Sequence, residues 1–139
     1  MTNWAPERNC SKRTDILLFN ASGTIQVSEV PSQEISQLRI ENNSVVVFRD
    51  IDSDDTHSIL TILGGLPEED LFIEENSSLA LDDTTSNPNN FIEVKLGVNS
   101  TALIAGELIF QNSNTTAGRN HSMLSSVTNS IQITGKVNA

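Results

Sequence analysis

FIEVKLGVNSTALIAGELIFQNSN, residues 91–114, is the stretch that decides the fold class. Ile92, Val94, Leu96 and Val98 recur at every second position. Gly106, Leu108 and Phe110 do the same, with Glu107, Ile109 and Gln111 on the opposite face. A period of two places alternate side chains on opposite faces of a β-strand, so both runs read as half-buried strands joined around a short turn.

Outward from this stretch the chain keeps the same grammar. ILLF within residues 15–20 reads as a first strand, and Ile25 and Val27 alternate in a second that ends at Pro31. Ile35, Leu38 and Ile40 form a strand-like run over residues 34–42, which Asn42, Asn43 and Ser44 close as a turn. Further short strands fall at residues 45–48, 58–63, 71–74 and 79–81, and SIQITGKV at 130–137 closes the chain as one strand. LPEED at 66–70 has proline first and acids in the first turn, which predicts a single helical turn. Residues 83–90 read as a loop, and 115–129 as a long polar excursion. No internal repeat is apparent. Many short strands separated by turn signals predict a β-sandwich over residues 15–139, with residues 1–14 as a polar N-terminal arm. The predicted core is Ile92, Val94, Leu96, Leu108, Phe110, Ile131 and Ile133.

The order of several motifs resembles one family. Residues 23–30 (GTIQVSEV), 38–44 (LRIENNS), 91–96 (FIEVKL), 106–114 (GELIFQNSN) and 131–137 (IQITGKV) together resemble the ASH (abnormal-spindle/hydin) domain class over residues 16–137. The resemblance implies an all-β, immunoglobulin-like antiparallel β-sandwich that works by scaffolding and protein contact, without catalysis. The chain departs from the family pattern at Val98, where a proline is usual, at residues 100–102, where a glycine is expected, and in the length of the 115–129 segment.

Composition narrows the function. In 139 residues the net charge is −10, and eight Lys plus Arg are spread along the chain. Nucleic-acid binding needs a basic patch, so neither a nucleic acid nor an anionic membrane is an expected partner. No run approaches the roughly 20 apolar residues of a membrane-spanning helix. Cys10 is the lone cysteine, so no internal disulfide forms, and the polar MTNWAPERN before it is neither a lipid-anchoring signal nor a signal peptide. An exported chain has lost its signal or leaves by another route. A virion surface or an extracellular assembly is the favoured location.

The residues that invite chemistry are few. Asp50, Asp52, Asp54 and Asp55 alternate as in a calcium loop, where carboxylates converge on one ion. Asp55 stands where an EF-hand needs glycine, and Thr61 where it needs a bidentate glutamate, so a solvated acidic loop is the simpler reading and calcium the candidate ligand. His57 and His121 lack the neighbouring ligands a zinc site requires and read as surface or loop residues. Ser122, His57 and Asp82 make a triad only on paper, without a Gly-x-Ser-x-Gly turn. Asn9, Asn20, Asn42, Asn76, Asn99, Asn114 and Asn120 each open an Asn-x-Ser/Thr sequon, an excess that composition explains or that glycosylation exploits.

The expected function is therefore a non-enzymatic structural subunit or accessory protein of a larger assembly. Its most specific form is a virion surface or capsid decoration protein that binds protein neighbours, including copies of itself, through its arm and loops. An ASH-like protein–protein adaptor of a cytoskeletal or cell-surface protein is the alternative, and a cation- or glycan-binding module is third.

Overall fold

The computed structural model describes residues 15–49, 57–82, 91–111 and 121–139. The expected N-terminal arm and the expected loop at 83–90 lie outside these residues. Every strand pairing among them is parallel. The chain winds through three sheets in turn. Sheet A holds β1 (Ile16–Phe19), β4 (Gln37–Ile40), β7 (Leu71–Ile73), β10 (Thr101–Ile104) and β13 (Ser130–Ile133). Sheet B holds β2 (Gly23–Ser28), β5 (Ser44–Arg49), β8 (Ser78–Asp82), β11 (Glu107–Gln111) and β14 (Lys136–Asn138). Sheet C holds β3 (Gln33–Ile35), β6 (Ser58–Ile62), β9 (Ile92–Leu96) and β12 (Ser122–Leu124). Each passage A–B–C is one coil, and each strand pairs with its counterpart one coil away. The result is a β-solenoid, a parallel β-helix of four full coils and a fifth of two strands.

This corrects the antiparallel immunoglobulin-like sandwich. Most strands fall where the period of two placed them, although the run at 34–42 is split between β3 of sheet C and β4 of sheet A; their partners are not the expected ones. A short connection between two strands of one sheet must reverse the chain and gives antiparallel pairing. Here residues 97–100, between β9 and β10, turn a corner from sheet C to sheet A. Residues 105–106, between β10 and β11, turn from A to B. The long crossover that parallel strands require is supplied by the rest of each coil. Equivalent positions in sheet A lie 21 residues apart from Leu17 to Leu38, 33 from Leu38 to Leu71, 31 from Leu71 to Ala102 and 29 from Ala102 to Ile131. The chain therefore does contain a repeat, carried by stacking rather than by constant length.

Three smaller expectations change as well. Residues 66–70 bend without forming a helical turn. The C-terminal run is two strands, β13 and β14, broken at Thr134 and Gly135 by a corner. The polar excursion carries β12 near its middle.

Alternation gives each strand an inward set, and stacking turns these sets into continuous columns. Leu17, Leu38, Leu71, Ala102 and Ile131 form one column in sheet A. Ile25, Val46, Leu79, Leu108 and Val137 form one in sheet B. Gln33, Leu60, Val94 and Met123 form one in sheet C. The middle of every column is sealed: Leu38, Val46, Leu60, Leu71 and Leu79 are fully buried. Full burial of such a side chain is worth roughly 1.5–3 kcal/mol, so the columns dominate stability. Of the predicted core, Ile92, Val94, Leu96 and Leu108 are buried and Phe110 is half-buried. Ile131 and Ile133 are 36% and 53% exposed, because they occupy the last coil and nothing stacks beyond them among the described residues.

Candidate functional site

The solenoid's chemistry lies at its three corners. At the A–B corner the chain must swing sharply between strands, and asparagine takes the strained position. Asn42 and Asn43 adopt φ of 59° and 56°, and Asn76 a φ of 64°. Asparagine tolerates this left-handed region better than other side chains bearing a Cβ. A serine then opens the next strand. Ser44 is buried, with its Oγ 2.9 Å from the Ala21 carbonyl oxygen and 2.5 Å from that of Glu41. The Asn42 side-chain amide donates to the Asn20 carbonyl oxygen of the coil before (2.8 Å). The sequon pattern follows from this chemistry at Asn42 and Asn76, where asparagine turns the corner and the serine two residues on starts a strand. Asn99 (φ 63°) does the same at the C–A corner, two residues before Thr101.

In the later coils glycine replaces asparagine at the A–B corner. A Cβ on Gly106 would collide with the carbonyl oxygens of Ser77 and Glu74, and one on Gly135 with the carbonyl oxygens of Gly106 and Ala105. Neither glycine has a positive φ, so close approach of one coil to the next is what requires them there. The outer side of the corner is a cleft of about 460 Å³ lined by Glu41, Asn42, Asn43, Glu74, Glu75 and Asn76.

At the C–A corner a ladder of polar residues stands immediately before each of the last four sheet-A strands: Ser36, Asp70, Ser100 and Asn129. The first three are buried. Asp70 Oδ2 accepts the backbone N–H of Thr101 (2.8 Å). The Ser100 hydroxyl donates to the Ile62 carbonyl oxygen (3.3 Å), and the Asn129 side-chain amide to the carbonyl oxygens of Gly97 (2.6 Å) and Ser100 (3.2 Å). Asp70, Ser100 and Asn129 thus tie their own coils to a neighbour and are structural pins, whereas the buried Ser36 hydroxyl makes no hydrogen bond. A second cleft of about 460 Å³ lies outside this ladder, lined in part by Glu68, Glu69, Asn99 and Gln132.

At the B–C corner, residues 50–57, 83–91 and 112–121 connect β5 to β6, β8 to β9 and β11 to β12; of these only residues 57, 91 and 121 are described. Their mouths are well anchored. Arg49 Nε pairs with the buried Asp82 (3.1 Å to Oδ2), and Arg49 Nη1 donates to Gln26 Oε1 (3.3 Å). His57 stacks on Phe91 with ring centroids 4.6 Å apart and planes parallel within 1°. His121 Nδ1 accepts the Ile92 N–H (2.9 Å).

The sequence-predicted site residues fall as follows. Asp50, Asp52, Asp54 and Asp55, the candidate calcium ligands, lie outside the described residues, in the connection between β5 and β6. His57 is exposed, as expected. His121 stands just before β12 and is buried against Ile92, which corrects its reading as a surface residue and leaves it outside the strands. Ser122 stands in β12 and Asp82 in β8, on different sheets, and Asp82 is engaged with Arg49. Among the described residues no three His, Cys, Asp or Glu side chains are grouped to hold a metal ion. Sequence reasoning missed the corner ladders, because they exist only once the coils are stacked. Three of the seven sequons, at Asn42, Asn76 and Asn99, mark corner positions.

No family model, curated protein or solved structure matches the chain.

Proposed function

We propose that the chain is a non-enzymatic structural subunit of a larger assembly: a rigid rod segment that displays its B–C loops to protein neighbours. A virion surface or capsid decoration protein is the most specific form of this reading. One observation carries it. Buried apolar columns run through the described coils, while β5, β8 and β11, the sheet-B strands that precede the connections to sheet C of eight residues or more, stack in parallel register and end on the same edge. That arrangement invests side chains in stiffness and variable loops in contact, the division of labour of solenoid scaffolds. The corner side chains support it further, since Asp70, Ser100 and Asn129 spend their polar groups on neighbouring coils. The adaptor reading loses the sandwich on which it rested.

Quantitative mass spectrometry of particles purified from virus-producing cells that express the chain tests the proposal. The chain is expected in the particle fraction at fixed stoichiometry. Replacing residues 112–120 by a short Gly-Ser linker is expected to remove it from particles at unchanged melting temperature. Recovery of the intact chain wholly outside particles contradicts the virion form, and unchanged incorporation of the linker variant contradicts loop-mediated contact.

A further inference from the structure

We infer that the cleft outside the C–A corner takes an arginine side chain from a protein neighbour. This names a contact beyond the B–C loops; that the arginine belongs to an assembly partner rests on the structural-subunit reading.

The cleft has a fixed wall and a patterned floor. The wall is the bend at 65–69, held against β4. Gln37 Nε2 donates to the Glu68 carbonyl oxygen (3.4 Å), and Arg39 Nη1 pairs with Glu68 Oε2 (2.7 Å). The floor is the outward face of β10 and β13, where Thr101 stands beside Ser130 and Leu103 beside Gln132. Three successive carboxylates line the cleft at increasing depth. Glu68 is exposed, Glu69 half-buried and Asp70 only 4% exposed.

Asp70 distinguishes this cleft from a solvated acidic rim. Its Oδ2 is held by the Thr101 N–H (2.8 Å), while its buried Oδ1 has no hydrogen-bond partner. Leaving a buried carboxylate oxygen without a donor is costly, and folded proteins nearly always supply one. Arg39 is already engaged: it pairs with Glu41 (2.7 Å) and Glu68 and lies 4.7 Å from the centroid of the Phe72 ring. Among the described residues no Lys or Arg lines the cleft, and neither Glu69 nor Asp70 has an ion pair.

A ligand that suits these groups brings donors and positive charge. A metal ion needs several ligands converging on one point, and no three His, Cys, Asp or Glu side chains among the described residues do so. A guanidinium is planar and carries five donors in a rigid fork, so it reaches acceptors that are spread apart; an ammonium is a point charge. Leu66, Pro67 and Leu103 offer the aliphatic stem an apolar track, and a cleft of about 460 Å³ admits the whole side chain.

NMR titration of the full chain with the blocked peptide acetyl-Gly-Arg-Gly-amide tests this at about 0.15 M salt, where the Debye length is about 8 Å. Amide shifts are expected at Thr101, Leu103 and Gln132, and none at Asn42 and Asn76 of the other acidic cleft. The lysine peptide is expected to bind more weakly and the citrulline peptide not at all. Asp70→Asn keeps an acceptor for the Thr101 N–H and is expected to weaken binding about tenfold. Glu69→Gln, at a half-buried position, is expected to weaken it about two- to fivefold and keeps the test decisive if Asp70→Asn does not fold. Glu75→Gln removes the same charge from the other cleft and is expected to change binding less than about twofold. Melting temperatures show that each variant folds. Absence of localised shifts at tens of millimolar peptide overturns the proposal. So does an equal loss from Glu75→Gln, since general acidity then accounts for binding, or displacement of the peptide by equimolar calcium, since the cleft's ligand is then a metal ion. Unchanged particle incorporation of a Glu69→Gln/Asp70→Asn chain that no longer binds the peptide overturns the assignment to an assembly partner and leaves the structural-subunit reading standing. A chain that binds the peptide but stays outside particles sinks the virion form and leaves the cleft's chemistry intact.

Discussion

Replacing Gly106 by alanine separates the solenoid from any fold in which this residue is an ordinary strand position. In an unstrained site with free space, Gly→Ala stabilises by about 0.4–1 kcal/mol, because the unfolded chain loses entropy. Gly106 sits at the A–B corner of the fourth coil, where an added Cβ would lie under 3.0 Å from the carbonyl oxygens of Ser77 and Glu74. Both are backbone atoms of the preceding coil and cannot swing aside as a side chain would. Both also accept hydrogen bonds, Ser77 from Glu107 N (3.0 Å) and Glu74 from Ser77 N (3.0 Å). Overpacking of this kind costs about 1–3 kcal/mol. Two weakened hydrogen bonds add about 0.5–1.5 kcal/mol each. After the gain in the unfolded state, the net loss is about 3 kcal/mol. With a urea m-value of about 1–3 kcal/mol/M, the unfolding midpoint falls by about 1–3 M. Gly97 is the internal comparison: its added Cβ would meet Ile62 O at 3.0 Å and Leu63 Cα at 3.1 Å, so Gly97→Ala costs less. A Gly106→Ala midpoint equal to or above wild type would refute the close stacking of coils three and four.

Other outcomes follow from the same columns and pins. Leu79→Ala opens a cavity in the middle of a sealed column and is expected to cost about 2–5 kcal/mol by urea denaturation, whereas Ile133→Ala, at the exposed end, costs less than about 1 kcal/mol. His121→Ala leaves the Ile92 N–H without its acceptor in the core, for an expected loss of about 1–3 kcal/mol and faster amide exchange at Ile92. Asn129→Ala removes the amide donors to Gly97 and Ser100, with an expected loss of about 1–3 kcal/mol and exchange protection falling first in β13.

The strands were legible in the sequence; the way they pair was not. Alternation at Ile92, Val94 and Leu96, or at Leu108 and Phe110, reports that one face is buried, and it reads the same whether the partner strand is ten or thirty residues away. What distinguishes a corner from a hairpin is the direction in which the chain leaves it. Gly97 and Gly106 suit either reading until the neighbouring coil is in place. The repeat was hidden by its connections. The spacing from Leu17 to Leu38 is 21 residues and that from Leu38 to Leu71 is 33, because the B–C and C–A loops vary in length while the strands hold register. β12 was invisible because Ser122, Met123 and Leu124 are flanked by polar residues, and its place in sheet C comes from stacking on β9. Ile131 and Ile133 had the right pattern for the core but the wrong position, since no described residue stacks beyond them in their columns. At the candidate sites, Asn42, Ser44 and Asn76 carried a readable signal in their spacing. The signal concerned backbone conformation at the corners, where glycosylation and composition bias had been the competing explanations.

The central claim is that each strand lies in parallel register beside its counterpart one coil away. The outward column Val45–Ser78–Glu107 tests it most directly. Neighbouring strands in a sheet stand about 4.8 Å apart, within the span of a disulfide, and alternate strands stand at about twice that distance. In a Cys10→Ser background, the pairs Val45→Cys/Ser78→Cys and Ser78→Cys/Glu107→Cys are expected to form intrachain disulfides on mild oxidation. Val45→Cys/Glu107→Cys is expected to stay reduced. Rapid closure of the Val45/Glu107 pair, with the two adjacent pairs remaining open, would contradict the solenoid.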